Sequence, residues 1–306
     1  MRILVTATLL LAFSTASTSL AKSSEIYLDP NENAANYLSC LAQQKVTLIS
    51  AHRGGPTSGF PENALESLKN ALSHGPMLLE VDVRQTRDGE LVLLHDESLE
   101  RTTTGTGNLS DYTLDELKVF RLLDNQQNVT QFSIPTLKET LEWADEKTIL
   151  QIDVKRGIDY EKVARAVVAA EAVDSVLIIA YRAEDIAISL EVDEQLSFSY
   201  SINHPDDLTA LEKLGVSEQQ IIAWTGVVDE TSKPVWPTLE SLGIPFAAGA
   251  FWDLEERIVA TDNTQPYIDI SAAGTDIIGS DYYWLAYDTL ASQQDLAAAI
   301  TLCERQ

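Results

Sequence analysis

Several side chains in this sequence are of kinds that move protons or hold ions, and each stands in or at the end of a strand-like apolar run. His52 and Arg53 follow Ile49-Ser50-Ala51 and precede the pair Gly54-Gly55; His95 ends Leu91-Val92-Leu93-Leu94. Glu80 and Asp82 alternate with Leu79, Val81 and Val83. In an extended strand, with its side-chain period of two, those carboxylates share one face. Gln151, Asp153 and Lys155 alternate in the same way with Ile152 and Val154.

Carboxylates crowded on a covered face repel and are costly to desolvate, so a divalent cation is their natural partner. The bland reading is a solvated acidic face, which fits poorly with a parallel strand covered on both sides. Adding Asp153 to Glu80 and Asp82 gives a hard-oxygen set suited to Mg2+ or Ca2+ rather than zinc. Histidine exchanges protons near neutral pH, so His52 and His95 at one rim can serve as base and acid. A histidine at a strand end also serves as a structural hydrogen-bonder. His74, before Gly75, reads as a helix-end residue favoured by the dipole, and His204, before Pro205, as a turn residue.

The elements that must position these groups alternate along the chain. Strand candidates are 47–51, 78–83, 91–94, 149–154, 176–181, 198–202, 221–224, 246–251 and 276–279, with helical segments at 63–73, 136–144, 160–172 and 206–214 between several of them. Such alternation predicts an α/β fold with a parallel sheet. The closed form is a (β/α)8 TIM barrel of one domain, residues 47–306, with a short insertion after the third strand. A barrel of this kind places its chemistry at the C-terminal ends of the strands. The candidates number one more than the barrel needs, and Ile221 to Trp224 is expected to be irregular or an extra edge piece.

Residues 1–21 read as a cleavable secretory signal: Arg2, an apolar stretch from Ile3 to Phe13, then small residues up to Ala21. The apolar stretch is too short for a membrane span. The expected protein is exported, periplasmic or secreted, cut after Ala21, with an N-terminal segment 22–46 ahead of the barrel and no stable membrane insertion. The net charge of −26 excludes a nucleic-acid or anionic-membrane surface binder. Cys40 and Cys303 stand near opposite ends of the chain in a setting that permits oxidation, and either pair or remain as two buried thiols.

Taken in order, His52-Arg53-Gly54, Pro61-Glu62-Asn63, Glu80-Val81-Asp82, Thr86-Arg87-Asp88-Gly89, His95-Asp96 and Arg101-Thr102-Thr103 resemble the motifs of the glycerophosphodiester phosphodiesterases. The close match runs from about residue 47 to 155, and Gly274 to Asp281 is similar to that family's terminal strand. The resemblance implies a (β/α)8 barrel that hydrolyses small-molecule glycerophosphodiesters to sn-glycerol 3-phosphate and an alcohol. It implies His52 and His95 as the acid/base pair, Glu80 and Asp82 as metal ligands, and Arg53 as a phosphate contact. The family's usual IE-x-K glutamate is replaced by Asp153, with Lys155 in the lysine's place; Lys155 is expected to help bind the phosphate. An arginine fork suits phosphate oxygens, and Gly54-Gly55 let the backbone turn steeply beside a ligand. The expected reaction begins with attack of the glycerol 2-hydroxyl on phosphorus. The alternatives are a phospholipase of the same barrel superfamily and a binding protein without turnover.

Overall fold

Alternating strands and helices close on themselves in the computed structural model, which describes residues 27–30, 33–228 and 233–304. The expected signal, 1–21, and the cut before Lys22 lie outside the described residues. The strands are β1 (Leu48–Ala51), β2 (Leu78–Gln85), β3 (Leu91–Leu93), β4 (Leu150–Val154), β5 (Val176–Ala180), β6 (Ser197–Ser201), β7 (Ile221–Val227), β8 (Phe246–Gly249) and β9 (Ile277–Ser280). The sheet runs β1-β9-β8-β7-β6-β5-β4-β2-β3, and β1 also pairs with β2. That last pairing closes eight parallel strands into a barrel, with helices between them. No helix among the described residues is long and apolar enough to cross a membrane.

The extra strand is β3, and this corrects the expectation for Ile221 to Trp224. β7 is a member of the barrel paired on both sides, with one register shift between Trp224 and Val227. β3 instead runs antiparallel to β2, with Val83 opposite Leu93 and Gln85 opposite Leu91. The reversal is built by Thr86 to Gly89: the Thr86 hydroxyl donates to Asp88 (2.6 Å), Glu90 N–H donates back to it (2.9 Å), and Gly89 takes φ 92°. Parallel strands need a long crossover, and a turn this short permits only a hairpin.

Side chains facing the barrel interior form layers, because residues two apart share a face. At the N-terminal end Leu48, Leu78, Ile149, Leu177, Ile222 and Ile277 join an apolar cluster with helix Ala34–Gln43 and helix Leu296–Cys303. These helices plug the bottom of the barrel, and Cys40 and Cys303 join them through a disulfide with a Cα–Cα distance of 5.8 Å. One step up the same strands the interior turns polar, at Ser50, Glu80 and Gln151; another step up stand His52, Asp82 and Asp153. Residues facing outward, among them Ile49, Leu79, Val81, Ile152 and Ile178, pack under the surrounding helices.

The insertion after β3 has its own small core of Leu94, Leu99, Leu109, Leu117, Leu122 and Ile134, which rests on Val92 of β3 and on Ala64. It is tied to the loop after β1 by Asp124, whose carboxylate accepts from the backbone N–H groups of Gly59 (2.9 Å), Gln126 (2.9 Å) and Asn128 (2.8 Å). The insertion is thereby fixed beside the C-terminal mouth of the barrel.

Candidate active site

The chain leaves β1 through a single turn, His52–Gly54, in which Arg53 takes φ 52° and Gly54 φ 75°. A side chain at Gly54 would place its Cβ 2.5 Å from Leu68 Cδ2, so glycine is needed for space as well as for conformation. The turn aims the Arg53 amide at Glu80 Oε2 (2.7 Å) and leaves the His52 ring against Phe251, with centroids 4.5 Å apart. His52 Nδ1 lies 2.6 Å from Asp281 Oδ1, just past β9. The buried Glu255 fixes that corner, accepting from Asp281 N–H (2.9 Å), Tyr267 OH (2.7 Å) and the Ser280 hydroxyl. Burial favours a neutral His52, yet the hydrogen bond to Asp281 and the charges of Glu80 and Asp281 outweigh it and raise its pKa.

Glu80, Asp82 and Asp153 come together as the sequence predicts, each offering an oxygen within 4.8 Å of the others. One oxygen of each carboxylate is held by an outer donor: Glu80 Oε2 by Arg53 N–H (2.7 Å), Asp82 Oδ2 by Asn63 Nδ2 (2.6 Å), Asp153 Oδ1 by Tyr181 OH (2.8 Å). Burial, and then the charge of Asp82, push Glu80 up to about 8. Burial also opposes ionised Asp82, but Lys155 and the Asn63 hydrogen bond hold it below the usual carboxylate range. The Lys155 ammonium lies 2.6 Å from Asp82 Oδ1 and 2.5 Å from Asp153 Oδ2. Asp82 Oδ1 is nevertheless buried with no hydrogen bond of good geometry. Three carboxylates converging on one point, with the Lys155 ammonium as the cation against Asp82 and Asp153, form an oxygen-only donor set of the kind that fits a hard divalent cation.

His95 follows β3, its carbonyl held by Arg84 Nε (2.8 Å) and its Nδ1 2.7 Å from Asp96 Oδ1. Arg101 spans Asp96 and Glu62, donating to Glu62 from both terminal nitrogens at 2.8 Å. Its hydrogen bonds are the main reason the Asp96 carboxyl is held well below the usual range. Glu62 also accepts from Arg53 Nη1 (3.2 Å), so one chain of charges links His95 to the cation beside His52. Arg53 Nε is buried without a partner, a spare donor of the kind an anion would satisfy.

A chamber of about 200 Å³ opens below these groups, lined by His52, Glu80, Asp153, Tyr181, Trp224 and Phe251 among others. His52, Arg53, Glu80, Asp82, His95, Asp153 and Lys155 all stand at this end of the barrel, with Lys155 lodged between two carboxylates rather than projecting freely. His74 and His204 stand apart, His74 edge-on to Tyr283 and His204 as the N-cap of helix Pro205–Lys213. Sequence reasoning missed Asp281, Tyr181, Phe251 and Glu255, and gave Asp96, Arg101 and Glu62 no role. Asp96, Arg101 and Glu62 lie within the quoted motifs. Tyr181 follows Leu177 and Ile179 on one face of β5, a signal the period of two supplies.

A closed parallel barrel with a three-carboxylate cluster that could hold a metal ion, and two carboxylate-held histidines at its C-terminal end, defines a class: a TIM barrel whose candidate site combines imidazoles with an oxygen-donor cluster. Comparison with known proteins narrows it. The glycerophosphoryl diester phosphodiesterase family matches residues 52–268, more than two thirds of the chain, and the chain belongs to that family. It is 40% identical over 114 residues to a glycerophosphodiester phosphodiesterase of Caldanaerobacter subterraneus, an alignment covering 37% of this chain and 46% of that protein. The chain thus spans about half the length of this curated relative. The crystal structure of a glycerophosphoryl diester phosphodiesterase from Parabacteroides distasonis superimposes with a TM-score of 0.78 at 31% identity, covering 88% of this chain and 95% of that one. The fold is shared with an Oleispira antarctica phosphodiesterase solved with the product sn-glycerol-3-phosphate, at TM-score 0.62 and 22% identity, covering 82% of this chain and 99% of that one.

Proposed function

We propose that this protein hydrolyses glycerophosphodiesters to sn-glycerol 3-phosphate and an alcohol. The observation that carries the reading is the pair His52 and His95, each with Nδ1 tied to a carboxylate and each at the rim that bears the carboxylate cluster. A histidine held at Nδ1 has its Nε2 fixed for proton exchange, which is the arrangement acid/base catalysis requires. One histidine takes the proton of the glycerol 2-hydroxyl as its oxygen bonds to phosphorus. The other protonates the oxygen of the departing alcohol as its bond to phosphorus breaks. Water then opens the cyclic phosphate, with the same residues in reversed roles.

The phosphate is met by positive charge: Arg53, whose Nε has no protein partner, and Lys155 at the same rim. A divalent cation, Mg2+ or Ca2+, held by Glu80, Asp82 and Asp153 would add charge stabilisation at the non-bridging oxygens. The product found with the Oleispira protein supports the same chemistry for this chain. The Cys40–Cys303 disulfide supports an oxidising compartment, in keeping with the exported location read from residues 1–21.

The test is release of sn-glycerol 3-phosphate from glycerophosphocholine, glycerophosphoethanolamine and glycerophosphoinositol, with lysophosphatidylcholine alongside and with or without chelator. Chelator-sensitive release from the deacylated diesters is expected. Folded, cation-supplied protein that releases nothing from them would overturn the proposal, and turnover of lysophosphatidylcholine alone would make it a phospholipase.

A further inference from the structure

We propose that the Tyr181 hydroxyl is a positioning group that selects which oxygen of Asp153 faces the carboxylate cluster, and thereby favours Mg2+ over Ca2+. The inference rests on reading the cluster as a cation site and goes beyond it, to how that site discriminates between ions.

Sheet register puts the two residues together. Asp153 of β4 pairs with Ile179 of β5, and Tyr181, two residues on, shares the face of Ile179. The Tyr181 side chain is not held there by burial, since the residue is 60% exposed. Its engaged atom is the hydroxyl, which donates to Asp153 Oδ1 at 2.8 Å. A phenol is protonated at neutral pH, so the donor is always present. Oδ1 is thereby reserved, and Oδ2 is turned toward Asp82, where the Lys155 ammonium bridges the two carboxylates at 2.5 and 2.6 Å.

The same division holds at the other two members: Arg53 N–H reserves Glu80 Oε2, and Asn63 Nδ2 reserves Asp82 Oδ2. Of these outer donors Tyr181 alone is a side-chain hydroxyl, removable by a single atom with the ring left in place. A carboxylate with one oxygen reserved offers single-oxygen coordination. Mg2+ demands a small octahedral shell, whereas Ca2+ accepts larger numbers of oxygens and carboxylates binding through both at once. Freeing Oδ1 would let Asp153 turn both oxygens inward, which suits Ca2+ better than Mg2+.

Chelator-stripped wild type, Tyr181→Phe and Asp153→Asn are each titrated with MgCl2 and with CaCl2 by calorimetry, and each is melted without added ion. Wild type is expected to bind, and Asp153→Asn to bind far more weakly. Tyr181→Phe is expected to lose about tenfold or more in Mg2+ affinity, the scale on which outer hydrogen-bond partners act, with a smaller loss for Ca2+. Its ion-free melting temperature is expected to match wild type, which separates positioning from damage to the fold. Unchanged Mg2+ affinity in Tyr181→Phe, or equal proportional losses for the two ions, would overturn the proposal alone. Wild type that binds neither ion would overturn the cation-site reading, and this proposal with it; full binding by Asp153→Asn would remove Asp153 from the ligand set.

Discussion

His52 Nδ1 meets Asp281 Oδ1 at 2.6 Å, joining the end of the first barrel strand to the end of the last across 229 residues of sequence. The closing seam of the barrel and the orientation of the His52 ring are therefore one contact. Any loosening between β1 and β9 is felt at the His52 ring.

Asp281→Asn tests that contact. The hydrogen bond and charge of Asp281 raise the His52 pKa against burial, so removing the charge lowers it. The limb of the pH–rate profile that belongs to His52 is expected to move to lower pH, whichever role the residue plays. Turnover is expected to fall by about a hundredfold, the scale of an acid/base contribution. A pH profile identical to wild type would show that Asp281 does not act on His52.

His52→Ala and His95→Ala are each expected to cost a factor of about a hundred or more, and to combine less than additively because they act as a unit. His74→Ala, remote from the cluster, is expected to stay close to wild type. Steady-state rates of purified folded variants decide the matter, and damage from His74→Ala as large as from the other two would identify a loss of fold.

Ion uptake is expected to depend on pH through Glu80. With its carboxyl raised to about 8 in the ion-free protein, Glu80 is protonated below that pH and must lose the proton to act as a ligand. Apparent affinity should therefore fall by about tenfold per pH unit below 8, with proton release on binding. The linkage to stability has a definite sign: the ion-free fold holds a proton that the unfolded chain releases, so this group's contribution declines as pH rises from 4.5 to about 8. Calorimetry in buffers of different ionisation heat measures the released proton, and its absence would contradict the assignment.

Cys40→Ser is expected to lower thermal stability while leaving turnover at room temperature intact, because the disulfide lies in the bottom plug and the chemistry at the opposite end. The closed loop of 263 residues corresponds to up to ~5 kcal/mol in the chain-entropy model. Melting curves with and without reductant, alongside rates, check both halves of this expectation.

Much of the site was legible because a strand converts sequence spacing into direction. Glu80 with Asp82, and Asp153 with Lys155, needed only the period of two to be placed on common faces, and barrel geometry then brought those faces to one end. β3 was harder, since Leu91 to Leu94 has the same apolar continuity as a barrel strand. What separates it is the few residues between Gln85 and Leu91, too short for a crossover, and that signal was present in the sequence. Asp281 and Glu255 gave no local signal of their roles: their partners are distant along the chain, and only closure of the barrel sets them side by side. Arg101 and Glu62 were visible as motif letters, but their joint hold on Asp96 and Arg53 depends on how the insertion folds.

Among the described residues the hairpin strand β3 has β2 as its one strand partner, beside an isolated bridge from Val92 to Thr136, while barrel closure runs through β1, β2 and β9. The staves of the barrel thus stand complete without it. Of the two histidines proposed to carry protons, His52 belongs to the staves and His95 rides on an attached module with its own core. On the proposed function, shape and catalytic competence are consequently separable in this chain: sequence change within the module would retune or silence the chemistry while the barrel's closure stayed the same.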